Sequence, residues 1–381
     1  MDPIVIIGTG LAGYTAAREF RKLDQDTPLV LFSADDGGYY SKPMLSNALA
    51  QHKSAEGLRL SSAHQMAAQL RAEIHPHTRI TALDAATRRL RFGPTELTYT
   101  QLVLALGADP IRLPLQGDAA ASVLSVNDLT DYARFRAAIA GKRRIVILGG
   151  GLIGCEFAND LATAGYQVAV VDTASHPLGR LVPEPLGGFL REALARRGID
   201  WHLGKSVTAV DHASDAQRIT LSDGTALAAD ALLSAVGLRP RTSLAAAAGL
   251  KVNRGIATDR WLRSSDPHIY ALGDCAEVEG LVLPFVMPLM HAARSLAQTL
   301  AGAPTPVSYP AMPVVVKTPA CPLVVAPPAA SAAGAWTWDS DSTGVRALFR
   351  NDAGELLGFA LAGSAVAEQP ALTKQLPATL P

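Results

Sequence analysis

Two glycine clusters in this chain have the residue types and the spacing needed to hold phosphate groups. In each, an apolar, β-branched run enters a turn with the pattern G-x-G-x-x-G. The pattern is formed by Gly8, Gly10 and Gly13 near the start of the chain and by Gly149, Gly151 and Gly154 further along. The first glycine permits the turn, the second lets the backbone approach a pyrophosphate, and the third lets a helix pack on the strand. One such match is weak, but two at strand ends predict that one chain binds two dinucleotides.

An acidic residue beyond each cluster would bind the adenosine ribose of such a ligand. Asp172 ends the strand that follows the second cluster, at the expected distance of about 20 residues. A carboxylate there repels a 2′-phosphate, so NADH is favoured over NADPH. Ser33 occupies the corresponding position of the first unit, and either Asp35 or Asp36 could supply the carboxylate from the loop.

The elements that must position these clusters follow from the pattern of apolar residues. The first unit is predicted as strand Ile4–Ile7, helix Leu11–Leu23 and strand Pro28–Phe32. Other predicted strands are Arg79–Leu83, Arg88–Phe92, Leu102–Leu106, Gln167–Val171 and Ala231–Val236, and a helix is predicted at Leu289–Leu300. Strands at Val314–Val316, Val345–Arg350 and Leu356–Ala362 form a small terminal unit, with a Pro/Ala-rich loop at Pro327–Ala335.

The sequence predicts an α/β protein with two nested Rossmann-like dinucleotide-binding domains and a small α+β C-terminal domain. A resemblance to a known family implies that the second unit is inserted into the first, since motifs for the first dinucleotide lie on both sides of it, at Gly8–Gly13 and at Gly273 and Asp274. We expect the outer domain at 1–111 and 244–310, the inserted domain at 112–243 and the terminal domain at 311–381.

Composition limits the classes of partner. Lys+Arg 34 balance Asp+Glu 34, which gives no overall attraction to nucleic acid or to an anionic membrane. No signal peptide or bilayer-spanning apolar run is evident, so we expect a cytoplasmic protein without membrane insertion. The three cysteines form no C-x-x-C pair, and the nine histidines show no metal-ligand spacing, so neither a redox dithiol nor a metal is predicted.

Four stretches occur in the same order as in a known family. Val103–Gly107, Gly149–Glu156, Ala235–Pro240 and Ile269–Asp274 resemble the flavoprotein reductases that have two dinucleotide-binding domains. The resemblance covers about residues 1–310 and implies FAD on the first cluster and NADH on the second. It also implies that Asp274 hydrogen-bonds the ribityl chain; the alternative is a helix N-cap, a common role for Asp, and both roles could coexist.

The resemblance implies a set of cofactor-binding residues. For FAD they are Gly8, Thr9, Gly10, Leu11, Ala12, Gly13, Ser33, Lys42, Pro43, Ile80, Gly107, Glu156, Asp274, Val286 and Lys317. For NADH they are Gly149, Gly151, Leu152, Ile153, Gly154, Asp172 and Gly237.

The chain departs from the family's thiol-dependent branches. The disulfide reductases carry a cysteine pair in the first helix region, and peroxidases and oxidases resemble each other in one cysteine within the Tyr/Pro-rich loop. Leu11–Ala17 and Tyr39–Ser46 contain no cysteine here. Electrons must therefore leave the flavin directly, which favours a small ferredoxin- or rubredoxin-type partner.

Three stretches resemble the bacterial rubredoxin reductases of alkane oxidation. They are Tyr40–Pro43, Gly154–Glu156 and Val316–Pro322, and Asn47 stands where ferredoxin reductases have a lysine. The resemblance implies hydride transfer from NADH to flavin N5, single-electron delivery to rubredoxin, and a monomer or weak dimer. Reduction of flavorubredoxin or a [2Fe–2S] ferredoxin, or a redox-sensing role without turnover, remains open.

Three charged residues are candidate flavin-tuning groups, since hydride transfer needs no general acid or base. We hypothesise that Lys42 and Glu156 form an ion pair beside flavin N5, the alternative being a surface lysine and a glutamate in the first turn of a helix. Lys317 is expected near the flavin N1/O2 edge, the alternative being a solvated strand lysine.

Overall fold

The computed structural model describes residues 2–381 and contains two parallel sheets that each receive one glycine cluster. The inner strands Ile4–Ile7 and Leu29–Phe32 of the first sheet are buried on both faces, which suits their continuous apolar runs. In spatial order this sheet contains Ile269–Ala271, Gln101–Leu104, Ile4–Ile7, Leu29–Phe32 and Glu73–His75. The second sheet contains Ile199–Leu203, Gln167–Asp172, Arg144–Leu148 and Ala231–Ser234.

Nine α-helices lie among residues 2–381. They are Leu11–Arg21, Ala55–Leu58, Ala63–Leu70, Leu129–Ile139, Leu152–Thr163, Glu184–Ala195, Ser243–Ala247, Val286–Leu300 and Gln369–Thr373. The helix predicted to reach Leu23 ends at Arg21, and the one predicted from Leu289 begins at Val286. Short 3₁₀ turns occupy Lys42–Asn47, Ala120–Ser122, Gly273–Cys275 and Ser364–Glu368.

The terminal unit is built on a five-stranded antiparallel sheet. Its order is Val314–Val316, Leu323–Ala326, Leu356–Gly363, Gly344–Arg350 and Ala335–Ser340. Three of these strands were expected, namely Val314–Val316, Leu356–Gly363 and Gly344–Arg350. Leu323–Ala326 and Ala335–Ser340 were not. Ala335–Ser340 is a mostly exposed edge strand whose Trp336 packs edge-on against Phe349, so its pattern of apolar residues is weak.

Smaller sheets connect these units. They comprise Ala82–Asp84, Arg89–Phe92 and Thr95–Thr98; Val207–His212, Gln217–Leu221 and Ala226–Ala229; and the pairs Tyr39–Tyr40 with Arg59–Ser61, Ala108–Pro110 with Leu238–Pro240, and Ile256–Thr258 with Ala276–Val278. The strand expected at Arg79–Leu83 begins only at Ala82. The pair formed by Ala108–Pro110 and Leu238–Pro240 carries the chain between the two parallel sheets, and we call it the connecting ribbon.

The architecture confirms the predicted fold class of two Rossmann-like units and a small C-terminal α+β unit. The exact domain limits stay a prediction. Within residues 2–381, no helix is both long enough and apolar enough to cross a bilayer.

Candidate functional site

Both glycine clusters open into one cavity of about 2130 Å³. Because Gly8 and Gly149 each follow the last residue of a strand, the cavity lies at the carboxyl ends of both parallel sheets. Of the residues predicted to bind FAD or NADH, all but two line this cavity. The two that do not are Gly13 and Gly154.

The six glycines divide into the roles expected for a phosphate cradle. Gly8 and Gly149 have φ of 114° and 103°, a left-handed conformation that other residues rarely adopt. Gly10 has nothing within 4 Å of the position that a Cβ would take, and the same holds for Gly151. A side chain at either position would point into space that a pyrophosphate could otherwise approach.

The third glycine of each cluster serves packing and does not face the cavity. A Cβ on Gly13 would overlap the carbonyl oxygen of Gly8, and a Cβ on Gly154 would overlap that of Gly149. The helix therefore packs directly on the turn in both units, which explains why these two glycines are absent from the cavity wall.

Three helices present uncapped N-termini to the cavity. The helices that begin at Leu11, Leu152 and Val286 have no side-chain cap, and none has an acidic residue in its first turn. Their first backbone N–H groups and the positive end of each helix dipole are available to an anion or an electron-rich ring edge. The cavity therefore fits two ligands that each carry a pyrophosphate.

Asp172 lies where a ribose ligand is expected in the second unit. Its carboxylate lines the cavity and accepts hydrogen bonds from the backbone N–H groups of Gly150 and Ala174, the latter at 2.7 Å. These contacts fix the carboxylate next to the glycine turn. In the first unit Ser33 contacts the Thr9 hydroxyl and donates to Asp35.

The structure distinguishes the two carboxylates that could serve the first unit. Asp35 accepts a hydrogen bond from the Gly37 N–H at 2.9 Å and lines the cavity. Asp36 instead forms an ion pair with Arg59 at 2.6 Å and is not part of the cavity wall. Asp35, which accepts a hydrogen bond from the Ser33 hydroxyl, is therefore the candidate ligand of the FAD ribose.

The hypothesised ion pair between Lys42 and Glu156 is wrong. The Lys42 ammonium lies 3.4 Å from the Asp274 carboxylate, and Glu156 pairs with Lys317 at 2.6 Å. Lys42 begins the 3₁₀ turn Lys42–Asn47 and contacts the turn that contains Asp274, while strand Val314–Val316 delivers Lys317 to the buried Glu156. Asp274 makes no helix-capping hydrogen bond, so the N-cap alternative is also wrong.

Glu156 is enclosed by partners from two other parts of the chain. Its side chain is 0% exposed, accepts the Lys317 backbone N–H at 3.0 Å, and accepts the Ser46 hydroxyl at 2.5 Å. The Lys317 ammonium also donates to Ser46 Oγ at 2.9 Å and to the Pro43 carbonyl. Glu156 is the fifth residue of its helix, so it is not a glutamate of the first turn. Lys317 forms an ion pair with it, so the alternative of a solvated lysine is also wrong.

The expectation that Lys317 lies near the flavin N1/O2 edge stays a prediction. Ser46, which links the two charges, had no role assigned from the sequence, although it lies in the Tyr39–Ser46 loop that the sequence singled out.

The same face of helix Leu152–Thr163 makes two further contacts that the sequence did not reveal. Asp160 accepts the backbone N–H groups of Leu49 and Ala50, each at 2.9 Å. Asn159 accepts the Ala320 N–H at 3.2 Å. Burial raises the pKa of the Asp160 carboxyl group. We call Glu156, Asn159 and Asp160 the junction face, because they join the NADH-side helix to the loop after Lys42 and to the terminal unit.

The cysteines take no part in the site. Cys155, Cys275 and Cys321 are buried, and among residues 2–381 none of them lines the cavity. The Cys155 thiol donates to the Gly150 carbonyl and the Cys275 thiol to the Leu104 carbonyl. Burial raises the pKa of Cys275 to about 11, so its thiol remains protonated near neutral pH.

Comparison with known proteins places the chain in a family. Residues 2–297 match the family model of the pyridine nucleotide-disulphide oxidoreductases, and the chain belongs to this family. Residues 306–376 match a rubredoxin binding C-terminal domain. FAD and NADH are the family's cofactors. The two glycine turns, the uncapped helix N-termini and the carboxylates of Asp35 and Asp172 fit two such ligands.

The chain is similar over its whole length to a rubredoxin-NAD(+) reductase of Alcanivorax borkumensis, with 52% identity and 100% of both chains covered. A rubredoxin-NAD(+) reductase of Acinetobacter baylyi is 45% identical over 100% of this chain and 99% of its own. A nitric oxide reductase FlRd-NAD(+) reductase of Aeromonas hydrophila is 40% identical over 98% and 96%.

Solved structures of related reductases share the fold. The putidaredoxin reductase of a covalent complex with putidaredoxin has a TM-score of 0.88 and 27% identity, covering 99% of this chain and 94% of that chain. A ferredoxin reductase from Rhodopseudomonas palustris also has a TM-score of 0.88, with 26% identity over 99% and 96%.

Proposed function

We propose that this chain is an FAD-dependent NADH:rubredoxin oxidoreductase. One observation carries the proposal: the terminal unit, within the match to a rubredoxin binding domain, places Lys317 against Glu156 in the cavity that both glycine clusters share. The unit that would recognise rubredoxin is thus joined to the residues that would hold the two dinucleotides. The full-length similarity to two rubredoxin-NAD(+) reductases supports the same assignment.

Bound FAD would supply the step that protein side chains lack, the conversion of a two-electron donor into one-electron delivery. The chain's own residues bind and orient. Gly10 and Gly151 leave room for the two pyrophosphates, and Asp35 and Asp172 offer carboxylates to the two riboses. The remaining cofactor-binding roles expected from the sequence belong to this proposal.

The charged pairs would set the electrostatic surroundings of the ring system. Lys317 neutralises the buried Glu156, and Lys42 neutralises Asp274, so the centre of the cavity has no uncompensated carboxylate from either residue. Positioning of this kind is sufficient, because transfer of a hydride between stacked rings needs no proton donor or acceptor from the protein.

The decisive assay measures NADH consumption by the purified flavoprotein with rubredoxin, a [2Fe–2S] ferredoxin, or oxygen alone as acceptor. We expect rubredoxin to accelerate turnover at least about tenfold over oxygen, and the ferredoxin to have a much smaller effect. Equal rates with all three acceptors would contradict the proposal and would favour a redox-sensing flavoprotein.

A second candidate is reduction of a flavorubredoxin. Its support is the 40% identity, over nearly the whole chain, to the nitric oxide reductase FlRd-NAD(+) reductase of Aeromonas hydrophila. Stopped-flow reoxidation of the reduced protein by rubredoxin and by flavorubredoxin at equal concentrations distinguishes the two. Faster reoxidation by flavorubredoxin would transfer the assignment to it.

We further propose that the protein works in the cytoplasm, where NADH is available and its three unpaired cysteines stay reduced. It would act as a monomer or weak dimer and supply electrons through rubredoxin to an alkane hydroxylase.

The carboxylate of Asp172 supports a preference for NADH over NADPH. The proposed units are an FAD domain at 1–111 and 244–310, an NADH domain at 112–243 and a C-terminal domain at 311–381.

A further inference from the structure

Two glycines mark the points where the chain enters the connecting ribbon, and both line the cavity. Gly107 lies between the first parallel sheet and Ala108–Pro110, and Gly237 lies between the second parallel sheet and Leu238–Pro240. Their φ values are 72° and 119°, in the left-handed region that glycine adopts without strain. The orientation of one sheet relative to the other therefore depends on how firmly the backbone is held at these two turns.

Arg241, directly after the second strand of the ribbon, holds the turn at Gly107 through its backbone and its side chain. Its N–H donates to the Gly107 carbonyl at 3.0 Å, and its Nη1 donates to the Leu106 carbonyl at 3.0 Å. Its Nε and Nη2 both contact Asp109 Oδ1 at 2.7 Å. One residue thus bonds to the chain before, at and after the glycine, and we call this arrangement the ribbon brace.

The other end of the ribbon is held less firmly. The Ile111 N–H donates to the Gly237 carbonyl at 3.0 Å, but within residues 2–381 no side chain hydrogen-bonds to the backbone of 235–238. The two chain crossings are therefore fixed unequally. The stiffer one adjoins the first sheet, where Gly107 is among the residues predicted to bind FAD.

Asp109 pairs with Arg241 although another arginine lies directly across the ribbon. Arg239 is the register partner of Asp109, yet within residues 2–381 it forms no ion pair and no side-chain hydrogen bond. Arg241 can reach a carboxylate and a carbonyl together because a planar guanidinium holds its donors in a fixed fork. The side chains of Arg241 and Asp109 are 44% and 62% exposed, so their charge attraction alone contributes little to stability. The main effect of the brace is a fixed backbone geometry at Gly107.

We propose that Arg241 is a positioning residue for hydride transfer from NADH to FAD. By holding the turn at Gly107, it fixes the orientation of the second parallel sheet, which carries the cluster Gly149–Gly154, relative to the first. The junction face holds the two units together at another place, so loss of the brace should misalign the two bound rings without separating the units. The inference rests on the proposed function, because it assumes that the two clusters bind these two dinucleotides.

The test compares three variants of the FAD-loaded protein in the absence of rubredoxin and oxygen. Arg241→Ala removes every side-chain contact of the brace, and Arg241→Lys keeps the charge but cannot bond to Asp109 and Leu106 together. Arg239→Ala is the matched control, because it removes an equal charge from the same ribbon without removing a contact. Stopped-flow absorbance gives the limiting rate of flavin reduction and the NADH concentration that produces half of that rate.

Two further measurements do not depend on turnover. Addition of NAD⁺ to the reduced protein produces a long-wavelength absorbance where the nicotinamide stacks on the flavin, so its intensity reports the alignment of the rings. Hydrogen exchange of the protein without nicotinamide, at the backbone N–H groups of Ile111 and residue 241, reports how firmly the ribbon is held.

We expect Arg241→Ala to lower the limiting rate about 10-fold, less than the roughly 100-fold loss that a displacement of about 1 Å can cause. The half-saturating NADH concentration should stay within about twofold of wild type, and FAD content should be retained. The long-wavelength absorbance should weaken, and exchange at both ribbon amides should become faster. Arg241→Lys should lie between Arg241→Ala and wild type, and Arg239→Ala should match wild type in every measurement.

Three results would overturn the inference. They are a wild-type limiting rate in Arg241→Ala, equal losses in Arg241→Ala and Arg239→Ala, and a loss confined to the half-saturating NADH concentration, which would make Arg241 a direct ligand of NADH. If Arg241→Ala folds poorly, Asp109→Ala takes its place, and a limiting rate lowered about 2- to 5-fold is then expected. A wild-type protein whose flavin NADH does not reduce would contradict the proposed function itself, whereas normal reduction in wild type and in Arg241→Ala would overturn this inference alone.

Discussion

Glu156 is the residue whose environment most constrains the site. A carboxylate with no exposed surface is costly to bury, and only the Lys317 ammonium, its backbone N–H and the Ser46 hydroxyl offset that cost. The balance depends on one cation supplied by the terminal unit. Removing that cation should therefore reveal how strongly the two units are coupled.

We predict that Lys317→Ala destabilises the protein by about 2 kcal/mol, less than for a fully buried pair because the lysine remains partly exposed. Adding Glu156→Gln should recover at least half of the loss, since the neutral amide no longer needs a cation. Chemical unfolding of the two single variants and the double variant measures this coupling. Additive losses in the double variant would show that the pair contributes nothing specific.

Asp172 carries the second residue-scale prediction. Replacing Asp172 with Ala removes the negative charge that would face a 2′-phosphate. The ratio of kcat/KM for NADPH to kcat/KM for NADH should therefore rise about tenfold, which corresponds to a modest share of the Coulomb energy between two close charges. Asp200→Ala is the matched control, because Asp200 lies on the neighbouring strand and is exposed outside the cavity. An equal change in both variants would argue against a direct role for Asp172.

At the scale of elements, the two strand–turn–helix units were predictable because each local signal agreed with its neighbours. The buried strand Ile4–Ile7 and the glycine turn after it are consecutive in sequence, so pattern and spacing suffice. The terminal strands Leu323–Ala326 and Ala335–Ser340 were not predictable in this way. The first lies between proline-containing turns, and the second is an exposed edge strand stabilised by pairing with Gly344–Arg350.

The glycine turns themselves allow a paired prediction. Gly10→Ala and Gly151→Ala should fold normally, since both positions have ordinary φ and open space, but each should impair one ligand. We expect Gly10→Ala to lower the FAD content of the purified protein and Gly151→Ala to raise KM for NADH about tenfold with FAD content retained. Flavin absorbance and steady-state kinetics separate the two.

Gly13→Ala and Gly154→Ala are the contrasting variants. Their Cβ atoms would overlap the carbonyl oxygens of Gly8 and Gly149, so we expect lower unfolding temperatures and poor yield. If Gly10→Ala were as unstable as Gly13→Ala, the separation between phosphate approach and helix packing would be wrong.

At the scale of the whole molecule, the sequence could name the charged residues of the site but could not pair them. Glu156 and Lys317 are 161 positions apart, and Lys42 and Asp274 are 232 apart. Nothing local connects them, and the family resemblance favoured pairing Glu156 with a residue of the Tyr39–Ser46 loop. The loop does reach Glu156, but through Ser46, while the cation comes from the terminal unit.

The junction face carries the last prediction, because it links three separate stretches of chain through backbone hydrogen bonds. Asp160→Ala should expose the Leu49 and Ala50 amides to faster hydrogen exchange, and Asn159→Ala should do the same for Ala320. If the helix couples the three stretches as one body, each variant will also speed exchange at the other variant's amides and slow flavin reduction by NADH several-fold with FAD content unchanged. Exchange confined to each variant's own partners, with normal reduction rates, would show that the contacts act independently. The choice between these outcomes decides whether the terminal unit only recognises the electron acceptor or also holds the hydride-transfer geometry, since Ala320 and Lys317 belong to the same short segment.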